Sequence, residues 1–182
     1  MIRWYTSRFR RLEVLRLSLV CVILAFSLVL YSSCTYFPGT AVNIGQSAPS
    51  FILADLNDQE ISLEKFKGKI VLLDFWATWC SPCRMTMPVV DNLSKEYQDD
   101  MVVLAVNMRE SKKVIEKYVF EQAIHSPVLL DKDGSVSAAY GAYAIPMQFL
   151  IDRYGIVRHI QTGYSPKMAS QLRTQIEQLR AN

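Results

Sequence analysis

The tightest constraint on the fold is a run that leaves neither side of a strand for water. Lys69-Ile70-Val71-Leu72-Leu73-Asp74-Phe75 is nearly continuously apolar, the pattern of a strand buried on both faces. Gly68 punctuates the chain before it, and Trp76-Ala77-Thr78-Trp79-Cys80-Ser81-Pro82-Cys83 leads from it into a predicted helix. That helix carries Met87, Val90 and Leu93 near helical spacing, with a kink expected at Pro88. A second apolar run, Met101 to Val106, precedes a helical pattern from Ser111 to Gln122. Pro127 to Asp131, the turn Lys132-Asp133-Gly134, a strand from Met147 to Ile151, a turn from Asp152 to Gly155, a partner strand from Ile156 to Gln161 and a last helix from Ser165 to Leu179 complete the order. Ahead of them, Phe51 to Leu53 and the region of Ile61 read as short strands around Asn57-Asp58-Gln59. A β-α-β half followed by a β-β-α half predicts an α/β domain with a mixed sheet. The crossover helices require parallel neighbours, and the late hairpin adds antiparallel ones.

The 182 residues carry a formal net charge of +3, but the excess is not on this domain. Residues 1–16 hold Arg3, Arg8, Arg10, Arg11 and Arg16 against Glu13 alone, a net of +4, so the remainder is −1. Nucleic acid binding needs a clustered basic footprint on the folded body, and no such partner is expected. From Leu17 to Phe37 there are 21 residues without a charged side chain, and a helix of that length spans roughly 30 Å of hydrocarbon. Leu17 to Leu30 is apolar on every side apart from two serines, whereas a buried core helix is normally amphipathic. Arginines on the N-terminal side alone predict that residues 1–16 stay in the cytoplasm and that the rest crosses.

Residues 17–37 are therefore expected to be one transmembrane helix, either an uncleaved anchor or a signal segment. Leu30-Tyr31-Ser32-Ser33-Cys34 looks like a degraded lipoprotein box in which Cys34 would be lipidated, although Tyr31 fits it poorly. Both outcomes leave the domain tethered to the membrane. Cys21, inside the apolar run, reads as a small hydrophobe. Residues 38–46 read as a linker, and residues 47–182, about 136 of them, are enough to form a core without structural disulfides.

Cys80 and Cys83 are the chemically decisive residues: a C-x-x-C pair where a buried strand passes into a helix. A helix start presents unsatisfied N–H groups and the positive end of the dipole, which favour a thiolate on the first cysteine. Cys83, one turn later, is positioned to attack a mixed disulfide formed there. Pro82 suits an early helical position because its missing N–H is not needed, and Arg84 is either a source of positive potential or a solvated surface residue. A structural zinc site needs four protein ligands, and beyond this single C-x-x-C only His125 and His159 are available. A purely structural disulfide over so short a separation would constrain little. Redox chemistry of the pair is the expectation, with no metal and no cofactor beyond the Cys80–Cys83 disulfide itself.

Four segments together resemble the membrane-tethered thioredoxin-like proteins of the TlpA and ResA type. They are Gly45-Gln46-Ser47-Ala48-Pro49-Ser50-Phe51, Phe66-Lys67-Gly68-Lys69, the stretch from Phe75 to Arg84 and the stretch from Ile145 to Gly155, with Ala105-Val106-Asn107-Met108-Arg109-Glu110-Ser111 between them. The resemblance implies a thioredoxin-like fold, a mixed central sheet flanked by helices, preceded by the transmembrane helix. It implies a cis-proline at Pro146 beside the cysteines, and a docking surface for extended substrate made by Trp79, Pro82, Ile145 and Pro146. It makes Asp74 the buried acid that exchanges a proton with Cys83. In one place the chain departs from ResA-type proteins: Thr86 stands where they usually carry a glutamate, three residues after the second cysteine, which weakens transfer of their role with apocytochrome c.

The expected function is that of an extracytoplasmic protein-disulfide reductase, a monomer on the outer or periplasmic side of a bacterial cytoplasmic membrane. Cys80 would attack disulfides of exported proteins, with electrons supplied by a DsbD- or CcdA-like membrane partner as the resemblance implies. The competing readings are a dithiol oxidase and a Sco-like copper-binding assembly protein using His125 or His159. Peroxidase activity fits less well, since a resolving pair this close after a tryptophan resembles thioredoxins.

Overall fold

A computed structural model describes residues 41–181. The basic tail, the apolar span of residues 17–37, Cys21 and Cys34 lie outside the described residues. Among the described residues no helix is long and apolar enough to cross a membrane.

The buried run forms β3 (Ile70–Trp76), in which all seven residues are buried. It is the middle strand of a five-stranded sheet. Following it are α1 (Ser81–Glu96), β4 (Met101–Met108), α2 (Lys112–Glu121), β5 (Val128–Asp131), α3 (Ser135–Tyr140), β6 (Met147–Ile151), β7 (Val157–Thr162) and α4 (Met168–Arg180). The strand order is β5-β4-β3-β6-β7, with β3–β4 and β4–β5 parallel and β3–β6 and β6–β7 antiparallel. A separate hairpin of β1 (Ile52–Ala54) and β2 (Glu60–Ser62) precedes a short 3-10 turn. The mixed α/β sheet is thus the one expected, and the helix at Ser81–Glu96 runs on through Pro88.

The two-residue period of β3 divides the core. Val71, Leu73 and Phe75 pack with Leu104, Val106, Phe149 and Tyr140 on the α3 side. Ile70 and Leu72 face Val90 and Leu93 of α1 and Leu172 and Ile176 of α4. Trp76 continues that second face under the start of α1, beside Cys83, Met87 and Ile115. Asp74, between Leu72 and Trp76 in this alternation, belongs to the α1 face.

Two features escape the sequence reading. Helix α3 is one, because Ser135-Val136-Ser137-Ala138-Ala139-Tyr140 is too short to display a period. Its start is made by a side chain from the preceding strand: the Asp131 carboxyl accepts from Val136 N at 3.2 Å, Ser137 N at 2.8 Å and Ser137 Oγ at 2.6 Å, satisfying amides that a helix leaves open. Gly134 and Gly141 bracket it with φ of 77° and 69°. At Gly141 a side chain would also collide with Ala41, 2.3 Å from where a Cβ would lie. The second feature is the segment read as linker. Val42 is 6% exposed and belongs to the core. Gly45 N donates to Val157 O at 2.8 Å and Val157 N to Gln46 O at 2.9 Å, while Ser47 bridges Ile156 and Asp55 bridges Leu129. Packing therefore already involves residues 41–46, whose small and turn-forming types resembled a linker in composition.

Asp131→Ala is expected to cost about 2 kcal/mol, since it strips acceptors from buried donors. Denaturant unfolding should show this as a lowered midpoint at unchanged slope, with Asp131→Asn losing less.

Candidate active site

β3 ends at Trp76, and the chain turns through Ala77-Thr78-Trp79 before Cys80 caps α1. Cys80 N donates to Ala77 O at 3.2 Å, closing that turn. As the N-cap residue, Cys80 has an extended backbone, and its Sγ accepts from Cys83 N at 3.2 Å. A helix amide is therefore aimed at this sulfur, where negative charge is favoured. Pro82 occupies the first turn, where its missing N–H costs nothing. Cys80 and Cys83 are joined in a disulfide with their Cα atoms 5.2 Å apart. Cys80 is 4% exposed and Cys83 0%, so an incoming group reaches Cys80 first.

Across from the pair, the Ile145–Pro146 peptide bond is cis, and the Ile145 carbonyl oxygen lies 3.7 Å from Cys80 Sγ. Pro146 O accepts from Gly163 N at 2.7 Å, tying this loop to the end of β7. Trp79 is 68% exposed beside the disulfide. The fold brings Cys80, Cys83, Trp79, Pro82, Ile145 and Pro146 to one end of the sheet, around the entrance to α1.

Asp74 lies beneath them, fully buried in the middle of the sheet. Its register partners are Ala105 on β4 and Gln148 on β6. Gln148 Nε2 donates to Asp74 Oδ1 at 2.6 Å, and Oδ2 has no hydrogen-bond partner among the described residues. Burial pushes the Asp74 carboxyl up to about 7, while the Gln148 bond pulls the other way. A group that titrates there can hold a proton or release it near neutrality.

Two residues of this neighbourhood were not singled out from the sequence. Gln148 is one. The other is Glu110, just after β4, whose carboxyl accepts from Thr78 N at 2.7 Å, Thr78 Oγ1 at 2.5 Å and Asn107 Nδ2 at 2.8 Å. It thereby holds the turn that presents Trp79 and Cys80. Gln148 gains its place through the β3–β6 register, and Glu110 through a loop contact with Thr78 far back in the chain. Thr86, where a glutamate was expected by resemblance, is fully buried and donates from Oγ1 to Cys83 O at 3.0 Å. No carboxylate approaches the pair from that position.

His125 is engaged elsewhere. Its backbone N donates to Asp91 Oδ1 at 2.8 Å, and its ring lies 3.4 Å from Oδ2 of the same residue. His159 is on β7, where burial lowers its pKa. Among the described residues, no group of three or more His, Cys, Asp or Glu side chains is placed to hold a metal ion. Arg84 is exposed on α1.

Residues 44–160 match the AhpC/TSA family. The thiol-disulfide oxidoreductase ResA of Geobacillus thermodenitrificans is 37% identical over 159 residues, covering 87% of this chain and 91% of that protein. The thioredoxin-like protein YneN of Bacillus subtilis is 40% identical over 126 residues, 68% of this chain and 74% of its own length. A crystal structure from Chlorobium tepidum, assigned as a thiol:disulfide interchange protein DsbE, superposes with a TM-score of 0.73 at 31% identity, over 76% of this chain and 99% of that one. The family match and the superposition support a thioredoxin-like architecture for this chain.

Asp74 also sets a pH dependence of stability. With a native pKa near 7 against an ordinary value of 3.8, the folded protein keeps a proton that the unfolded chain has already released. The contribution is whole below about pH 4, declines as pH rises to about 7, and is flat above, a loss on the order of 4 kcal/mol. Oxidised Asp74→Asn should lack that decline when unfolding free energy is measured from pH 4 to 8, so that its advantage over the parent grows with pH and then levels off.

Proposed function

We propose that this chain, which belongs to the AhpC/TSA family and is a thiol-disulfide oxidoreductase, reduces disulfides of exported proteins while tethered outside a bacterial cytoplasmic membrane. The observation that carries the chemistry is the asymmetry of the pair: Cys80 receives a helix amide at the entrance, and Cys83 is sealed behind it.

In the reduced protein the Cys80 thiolate attacks one sulfur of a substrate disulfide, forming a mixed disulfide and releasing the other sulfur as a thiolate. Cys83 gives its proton to the Asp74 carboxylate and attacks Cys80 Sγ. The Cys80–Cys83 disulfide forms, and the second substrate sulfur leaves. Two electrons have passed to the substrate, and a second dithiol must return them. The role fits a membrane donor of the DsbD or CcdA kind, which the resemblance implies for a reductase working in an oxidising compartment. No bound cofactor is needed for this exchange. The cis Ile145–Pro146 bond supports docking of extended polypeptide beside Cys80, because a proline leaves no N–H to compete for the substrate backbone. Apocytochrome c is one substrate of this class, and Thr86 in place of the glutamate weighs against it.

The basic tail and the uncharged span of residues 17–37 support the tethered location. Full-length Cys83→Ser, expressed in cells, should accumulate mixed disulfides on Cys80 that non-reducing electrophoresis resolves and that Cys80→Ser abolishes. Absence of such adducts, together with full biological activity of the double Cys80→Ser/Cys83→Ser variant, overturns the redox reading. A pair found oxidised in growing cells, with a potential well above that of its substrates, would make the enzyme an oxidase instead.

A further inference from the structure

We propose that Gln148 is a positioning residue for the proton-transfer step: its amide clamps one oxygen of Asp74 and leaves the other open for exchange with Cys83. This rests on the reading of Asp74 as the proton acceptor. Asp74 and Gln148 are directly opposite in the antiparallel β3–β6 pair, both are buried, and the 2.6 Å bond between them uses Oδ1 alone. On the other flank the register partner is Ala105, whose side chain has no donor and whose backbone N donates to Pro127 O at 2.9 Å. Ala105 packs in the same cluster as Cys83 and Trp76, under the first turns of α1. The unpartnered oxygen therefore belongs to the face that carries this cluster, which also holds Cys80 and Tyr118, and Cys83 is its fully buried thiol in the reduced protein.

The register partners of this pair are uncharged; the other acids around α1 are Glu110, held by Thr78 and Asn107, and Asp91, held by the His125 and Ser126 amides and by Lys95. β4 contributes the neutral Ala105 and Asn107 to this face, and β6 contributes Gln148 and Leu150. From α1 come Cys83, Thr86, Met87 and Val90, and from α4 come Met168, Leu172 and Ile176. His159 on β7 pairs with Leu150 and is kept towards its neutral form by burial. Burial raises the Asp74 pKa, and the Gln148 bond lowers it. An amide donor suits the task. It favours the ionised carboxylate without bringing a charge or a second titrating proton, and so offsets part of the burial. Gln148 is also two residues beyond Pro146, at the start of the strand that carries the docking loop.

The test is the pH profile of mixed-disulfide resolution in single-turnover experiments on the full chain, comparing parent, Gln148→Met, Asp74→Asn and the double variant. Methionine approximates glutamine in length and cannot donate. The limb of the profile due to Asp74 should move to higher pH by about one unit in Gln148→Met, equal to about a tenfold change in proton affinity. In the Asp74→Asn background the same substitution should leave the profile where it is. Gln148→Thr, shorter and suited to a strand, should repeat the shift and serves if Gln148→Met does not fold. A limb that stays in place in a folded Gln148 variant, yet vanishes in Asp74→Asn, overturns the role of Gln148 and leaves Asp74 as the proton acceptor. A limb that persists in Asp74→Asn and still responds to Gln148 overturns both.

Discussion

The site depends on β3 being closed to water on both faces. A strand with helices on either side has no solvated position along its length, so the one acid within it, Asp74, has nowhere to ionise freely. That same burial carries the chain straight to the rim of the sheet, where β3 ends at Trp76 and the next regular element begins at Ser81. Both the perturbed carboxyl and the capping cysteine are consequences of one buried strand reaching the sheet edge above which α1 starts. Moving Asp74 to a wet position would remove the burial that raises its pKa, and moving Cys80 inside the helix would remove the amide aimed at its sulfur.

Around that axis the supporting contacts divide by chemistry. Glu110 fixes the turn before Cys80 by accepting from Thr78, and Asn107 donates to the same carboxyl. Asp91, at the back of α1, holds the loop before β5 through the amides of His125 and Ser126. Burial opposes its ionisation, but those amides, with Lys95 and the Ser126 hydroxyl, keep its carboxyl well below the usual range. Asp74 has one donor and stays high. Asp91 and Asp74 thus shift in opposite directions according to how many donors meet them.

Much of this was legible in the chain because the signals are local. The apolar run of β3, the C-x-x-C pair after it and the Met147 to Ile151 strand behind Pro146 each announce themselves within a dozen residues. What was not legible depends on partners far away in sequence. Helix α3 is organised by Asp131 of the strand before it, and Val42 finds its place only once the core exists. Gln148 is 74 residues from Asp74 and gains meaning only through the β3–β6 register. A shift of that register by one residue would turn Gln148 to the opposite face of the sheet.

The pairing of Gly45 and Gln46 with Val157, and of Asp55 with Leu129, has a consequence for the rims of the sheet. Extended polypeptide adds readily to any open sheet edge, and self-assembly through such edges is a common route to aggregation. Here the outermost strands β5 and β7 each have part of their rim occupied by a neighbouring segment of the same chain. The segment that resembled a spacer is also an edge guard. It leaves less of the rim open for a strand of another molecule to join.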